Sequence, residues 1–221
     1  MNKPRKTLYL FRHGETFSNV EGIFQGSTEP LTPKGREQAA QLAARLSSQH
    51  NRYPITLLLS SNYARALETA SPIAHALGLD ICPTPLFVER KHPQVIHGKS
   101  TSDPDARAIW IRGRENFHNR KFDYADGETF ARLKARALLA LKFVLNCSDE
   151  HIGVVTHGVF ATALAAASQR GAKLTSHDLN CYQFRLDNTG FSILTNQTHK
   201  DFSHNVTGWI IQKWNDTSHL N

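Results

Sequence analysis

The chain has few cysteines and no long hydrophobic run. Cys82, Cys147 and Cys181 are the three cysteines among 221 residues. They are odd in number, far apart and lack a CxxC pair, which argues against both a disulfide framework and a zinc cage. A reducing cytoplasm is the expected location. The first apolar stretch follows Met1-Asn2-Lys3-Pro4-Arg5-Lys6 and stops where Arg12 breaks it, too short for a signal-peptide core. No later stretch reads as a membrane span. Low-complexity tracts, fixed-period repeats and an interdomain linker are missing too. Acidic residues are in deficit: 26 Lys and Arg against 19 Asp and Glu leave a formal charge of +7. Such a balance attracts anions, whether nucleic acid, acidic membrane or a phosphorylated metabolite, and charge alone does not choose among them.

With 40% hydrophobic residues, the whole chain, 1–221, is expected to fold as a single domain burying a full core. Thr7 to Phe11 reads as a buried strand delivering Arg12-His13-Gly14-Glu15 at its end. After a Gly- and Thr-containing loop, Thr32-Pro33 reads as an N-cap with Pro at the first helical position, leading a helix over Arg36 to Ser47. A second unit pairs a strand at Ile55 to Leu59 with a helix closing at Gly78, and Pro72 is expected to kink or split that helix. Asp80 to Leu86 reads as an edge strand because of Pro83 and Pro85. Periodicity then fades, and residues 87–126 read as a basic insertion over the active face. A long helix follows from Asp126-Gly127-Glu128 through Leu145. The third unit is a strand at Ile152 to Val155, then Thr156-His157-Gly158 and an alanine-rich helix to Ser168. Tyr182 to Leu186 and Phe191 to Asn196 read as a hairpin around Asp187-Asn188-Thr189-Gly190. Alternating strand–helix units predict a three-layer α/β/α fold with a mainly parallel central sheet, whose ligands gather beyond the carboxyl ends of the strands.

His13 and His157 should both lie there, each followed by a glycine that adds no bulk beside the imidazole. One such histidine is ordinarily a satisfied polar group at a strand end; the repeated arrangement points to chemistry. Arg12 adjoins His13, and Arg65 sits in the first turn of the helix after Ser60-Ser61. Guanidinium forks bind phosphate oxygens bidentately, and their charge disfavours imidazolium, keeping a lone pair for attack. The plainer alternative for both arginines is an ion pair between elements. His92, His97 and His118 show no metal-ligand spacing such as HExxH and read mostly as solvated. The three tryptophans, Trp110, Trp209 and Trp214, read as packing, and no RNA-binding signature accompanies the basic residues.

The ordered set Arg12-His13-Gly14-Glu15-Thr16 with Asn19, Leu31-Thr32-Pro33-Lys34-Gly35, Ser60-Ser61 with Arg65-Ala66 and Thr69-Ala70, and Thr156-His157-Gly158 resembles the histidine phosphatase superfamily, also called phosphoglycerate mutase-like. The resemblance covers most of the chain. It implies that His13 becomes a phosphohistidine, that Arg12, Asn19, Arg65 and His157 hold the phosphoryl oxygens, and that no metal or other cofactor is needed. It also implies a carboxyl group that protonates the leaving alkoxide. Glu89, in Leu86-Phe87-Val88-Glu89-Arg90, matches that place; its plainer reading is a surface pair with Arg90 or Lys91.

Mutases and phosphatases of this kind share the first step and differ in whether a hydroxyl or water takes the phosphoryl group. A cofactor-dependent phosphoglycerate mutase usually has a tryptophan between Thr16 and Asn19 and a longer NER-YG-LQG-NK stretch around the acid. Phe17-Ser18 and Val88-Glu89-Arg90-Lys91-His92 stand here instead. The expected activity is therefore hydrolysis of a small phosphorylated metabolite, with no nucleic-acid or membrane partner. Phosphoglycerate mutase-type transfer is the nearest alternative; a noncatalytic phospho-ligand-binding protein is another, opposed by the intact Arg12, His13, Arg65, Glu89 and His157. Oligomeric state is not legible.

Overall fold

The structure, a computed structural model, describes residues 5–119, 121–181, 186–201 and 204–220, without the side chains of 180, 181, 198–201 and 204–207. A six-stranded sheet forms its middle layer in the order β3-β2-β4-β1-β5-β6. The strands are β1 (Lys6–Arg12), β2 (Leu57–Ser61), β3 (Ile81–Thr84), β4 (His151–Thr156), β5 (Phe191–Asp201) and β6 (His204–Asp216). The β3-β2, β2-β4 and β4-β1 pairs are parallel. The β1-β5 and β5-β6 pairs are antiparallel.

Strand β1 is buried along nearly its whole length, and its side chains alternate between the two faces, as a pleat demands. Leu8 and Leu10 enter the core shared with α5 (Phe130–Asn146) and α6 (Gly158–Arg170). Tyr9 and Phe11 enter the core shared with α2 (Pro33–Ser48) and α3 (Ala64–Leu77). Each helix buries one apolar stripe against the sheet, which gives the three-layer α/β/α arrangement expected from the alternating units.

Local chemistry sets the element boundaries. Thr32 Oγ1 accepts from Gly35 N at 2.9 Å, capping α2 with Pro33 at its first position. Helix α3 ends at Gly78, whose φ of +65° suits a residue without Cβ. Pro72 does not split α3, which runs continuously from Ala64 to Leu77; packing of Ala70, Ile73 and Ala74 in the core outweighs the one lost N–H. Strand β3 is indeed an edge but stops at Thr84, and Pro85–Phe87 forms a 3-10 turn.

Three further expectations change. The stretch without clear periodicity contains α4 (Pro104–Glu115), capped by Asp103, whose carboxylate accepts from Ala106 N at 2.8 Å. Helix α5 starts at Phe130 with Thr129 as its cap, after rather than at Asp126-Gly127-Glu128. The terminal hairpin joins β5 to β6, while Asp187 to Gly190 form a turn ahead of β5, closed by Gly190 N donating to Asp187 O at 2.8 Å. Leu186 lies outside any strand, and the rest of the expected Tyr182 strand falls outside the described residues. Two short helices, α1 (Phe17–Glu21) and α7 (Ser176–Cys181), complete the set. Among the described residues, no helix is long and apolar enough to cross a membrane.

Candidate active site

The register of the sheet brings the two histidines together. Arg12 pairs with Thr156 at the carboxyl ends of β1 and β4, so the next residue of each strand, His13 and His157, emerges beside the other. Their ring centroids lie 5.1 Å apart. His13 N donates to Thr156 O at 3.0 Å, fixing the strand exit. Gly14 N donates to Thr69 Oγ1 at 3.0 Å. A Cβ on Gly14 would strike the Gly35 carbonyl, so glycine is what lets the loop pass over the start of α2.

His13 is 2% exposed and His157 is fully buried. His13 Nδ1 lies 2.7 Å from Gly14 O. A carbonyl oxygen only accepts, so Nδ1 carries the proton and Nε2 the lone pair. Arg65 Nε donates to that Nε2 at 3.2 Å, and its Nη1 donates to Gly26 O at 2.6 Å. Burial first, and then Arg65 and Arg12, hold His13 well below the usual imidazole range. His157 is held low by burial and by Arg65, His13 and Arg12. Both rings are therefore neutral near pH 7. His157 Nε2 lies 2.8 Å from Ser61 Oγ at the end of β2, and its buried Nδ1 has no hydrogen-bond partner among the described residues.

The structure gathers the remaining expected residues around this pair. Arg12 Nη1 donates to Leu186 O at 2.8 Å, and its guanidinium passes Gly158. Asn19 closes a capping box on α1: its N donates to Thr16 Oγ1 and its Oδ1 accepts from Thr16 N. Glu89 is not a surface partner of Arg90 or Lys91. Its Oε2 accepts from Val159 N at 3.1 Å and its Oε1 from Phe160 N at 2.9 Å and Arg90 N at 2.8 Å. A carboxylate at the first turn of α6 meets both free N–H groups and the positive end of the helix dipole.

A cleft of about 420 Å³ opens beside these groups, lined by Asn19, Arg65, Glu89, Arg90, His92 and His97 among others. Its size suits a small metabolite. His92 is half-buried rather than fully solvated, and burial, with Arg90 and His97, lowers its pKa to about 4. The Arg90 guanidinium lies 3.9 Å from the Phe117 ring centroid, and its buried Nε has no hydrogen-bond partner among the described residues. Among those residues, no group of three His, Cys, Asp or Glu side chains is placed to hold a metal ion.

Sequence reasoning missed the support behind the site. Asn188 Nδ2 donates to His13 O at 3.0 Å and to Asn19 Oδ1 at 3.2 Å, and Thr189 N donates to Arg12 O at 3.1 Å. Thr189 Oγ1 lies 2.9 Å from His219 Nε2, and Asn215 Oδ1 accepts from Asp187 N at 2.8 Å. A turn that precedes β5 and the end of the chain thus hold the backbone of residues 12 and 13 from behind. The Asn-Thr-Gly signal was visible, but a turn signal carries no information about what the turn will touch.

A sequence profile of the histidine phosphatase superfamily (branch 1) matches residues 8–217. The chain belongs to that superfamily. Its relatives in the superfamily include proteins named "Probable phosphoglycerate mutase GpmB": the one from Enterobacter sp. (strain 638) is 28% identical, with 96% of this chain and 94% of that protein covered. Among solved structures, Bacillus stearothermophilus YhfR has a TM-score of 0.72 at 28% identity, with 98% of this chain and all of that one covered. A mycobacterial glucosyl-3-phosphoglycerate phosphatase has a TM-score of 0.74 at 24% identity, covering 95% and 99% respectively, and shares the superfamily fold.

Proposed function

We propose that this protein hydrolyses phosphomonoesters of small metabolites through a phosphohistidine on His13, without a metal. The observation that carries this reading is the state of His13: a buried neutral imidazole whose Nε2 lone pair is fixed by the Nδ1–H bond to Gly14 O and faces a guanidinium. In the first step Nε2 attacks phosphorus, the N–P bond forms, and the bond from phosphorus to the leaving oxygen breaks. The phosphoryl group displaces Arg65 from the lone pair and takes its oxygens' partners from Arg12, Arg65, Asn19 and His157 Nδ1, which has no hydrogen-bond partner among the described residues. Several donors fixed around a buried nucleophile suit a transition state whose charge spreads over three oxygens.

Glu89, entering the step protonated with its hydroxyl turned from the N–H groups of α6 toward the cleft, gives that proton to the leaving alkoxide and is left as the carboxylate. Water next attacks the phosphohistidine, Glu89 takes its proton, and inorganic phosphate leaves with His13 restored. The names of the curated relatives favour one competing reading, transfer to a second hydroxyl as in a phosphoglycerate mutase. The absence of a tryptophan between Thr16 and Asn19 supports hydrolysis.

The test is release of phosphate from a panel of phosphomonoesters by wild type and His13→Ala with EDTA present, with an acid-labile phosphoenzyme sought on each and expected on wild type alone. Turnover insensitive to EDTA and abolished in His13→Ala is expected. Phosphoryl transfer to phosphoglycerate without phosphate release would replace hydrolysis by the mutase reading. An active His13→Ala variant would sink both.

A further inference from the structure

Arg136 and Glu128 stand outside the phosphoryl pocket, yet together they fasten the segment that carries Glu89. Arg136, on α5, donates from Nε and Nη2 to the two oxygens of the buried Glu128 carboxylate at 2.8 and 2.6 Å. Its Nη1 donates to Leu86 O and Val88 O at 3.1 and 2.6 Å, and Nη2 reaches Glu89 O at 3.3 Å. Glu128 completes the clamp from the other side: its N donates to Lys91 O at 2.8 Å and its Oε2 accepts from Lys91 N at 3.4 Å.

Residues 88–93 belong to no helix or strand, so Arg136 supplies partners for carbonyls that no ladder satisfies. The same guanidinium lies 4.1 Å from the Phe160 ring centroid, and Phe160 N is one of the donors holding the Glu89 carboxylate. Arg136 therefore touches both the backbone of Glu89 and the helix end that orients its side chain.

We infer that Arg136, held by Glu128, is a positioning residue that fixes the backbone of Glu89 at the cleft, so that its carboxyl can reach the leaving oxygen. The inference rests on Glu89 being the acid. A lysine would keep the charge but has no planar fork, and cannot span two carboxylate oxygens and three carbonyls together.

The decisive comparison is kcat/KM on two leaving groups: p-nitrophenyl phosphate, whose phenolate departs without a proton, and glycerol 2-phosphate, whose alkoxide requires one. Glu89→Gln should lose roughly 100- to 1,000-fold on the alkyl ester and far less on the aryl ester. Arg136→Lys should show the same selectivity, losing about 10-fold on the alkyl ester alone. The double variant should add no further selective loss to Glu89→Gln, because both changes act through one group. If Arg136→Lys does not fold, Arg136→Met combined with Glu128→Gln removes both charges without orphaning either and allows the same comparison. Equal losses on the two esters, or losses that multiply in the double variant, would overturn the inference and leave the acid assignment standing. A Glu89→Gln variant without leaving-group selectivity would overturn both.

Discussion

Arg65 Nε, 3.2 Å from His13 Nε2, already occupies the lone pair that the chemistry needs. Its own burial and its grip on the Gly26 carbonyl fix where that charge stands. Arg65→Ala should lower kcat by about 100- to 1,000-fold, the range seen when one preorganised donor is removed; a KM effect with kcat unchanged would show that it only binds substrate. Arg90 belongs to the same scale. A half-buried guanidinium whose buried Nε has no hydrogen-bond partner among the described residues favours an anionic group on the substrate beyond the phosphoryl itself. Arg90→Leu should reduce kcat/KM about 10-fold on 3-phosphoglycerate and little on glycerol 3-phosphate; equal effects on the two would remove that role. The sequence exposed His13, Arg12, Arg65 and His157 because chemistry-bearing residues at strand ends, or in the first turn of the helix that follows, carry their own signal. Arg136 was legible only as a charged residue inside the buried stripe of α5, between Leu133 and Ala137, a cue that periodicity alone treats as noise.

At the level of elements, the close approach of the His13 loop to α2 depends on two glycines. A Cβ on Gly35 would collide with the Glu15 backbone, as one on Gly14 would with Gly35. Since backbone atoms cannot swing aside, Gly35→Ala should destabilise the fold by about 1–3 kcal/mol and depress activity together. Denaturant midpoints and kcat measured on the same preparation check this, and an unaltered midpoint would refute the packing argument. The strand–helix units around β1, β2 and β4 were readable because apolar runs, caps and glycine stops agree there. Helix α4 was not, although Asp103-Pro104 is an ordinary helix start. Only Ala106 and Gly113 of that helix are buried, so it shows almost no apolar stripe. Strand β6 escaped notice because its Trp209 and Trp214 were read only as packing; with Ile211 they do pack on the core, from the outer strand of the sheet.

For the molecule as a whole, histidines wholly or partly withdrawn from solvent tie stability to acidity. His13 and His157 are held well below their usual range, and His92 and His219 are lowered to about 4, mainly by burial. Each keeps the native state unprotonated while the unfolded chain takes up a proton near pH 6.5. Their contribution is thus complete above about pH 6.5 and is lost as pH falls toward the native values. Tm should fall between pH 6.5 and 5, and His92→Gln should shallow that slope; parallel slopes for variant and wild type would exclude His92 as a contributor. Another whole-chain property follows from the turn beneath the nucleophile. Asn188 lies 175 residues from the His13 carbonyl it holds, and His219 braces Thr189 from later still. A nascent chain therefore displays its histidine long before it owns the scaffold that makes the histidine useful. A nonsense or frameshift mutation after Lys213 would leave every recognisable motif in the gene and yet remove Asn215 and His219, which brace that turn from behind.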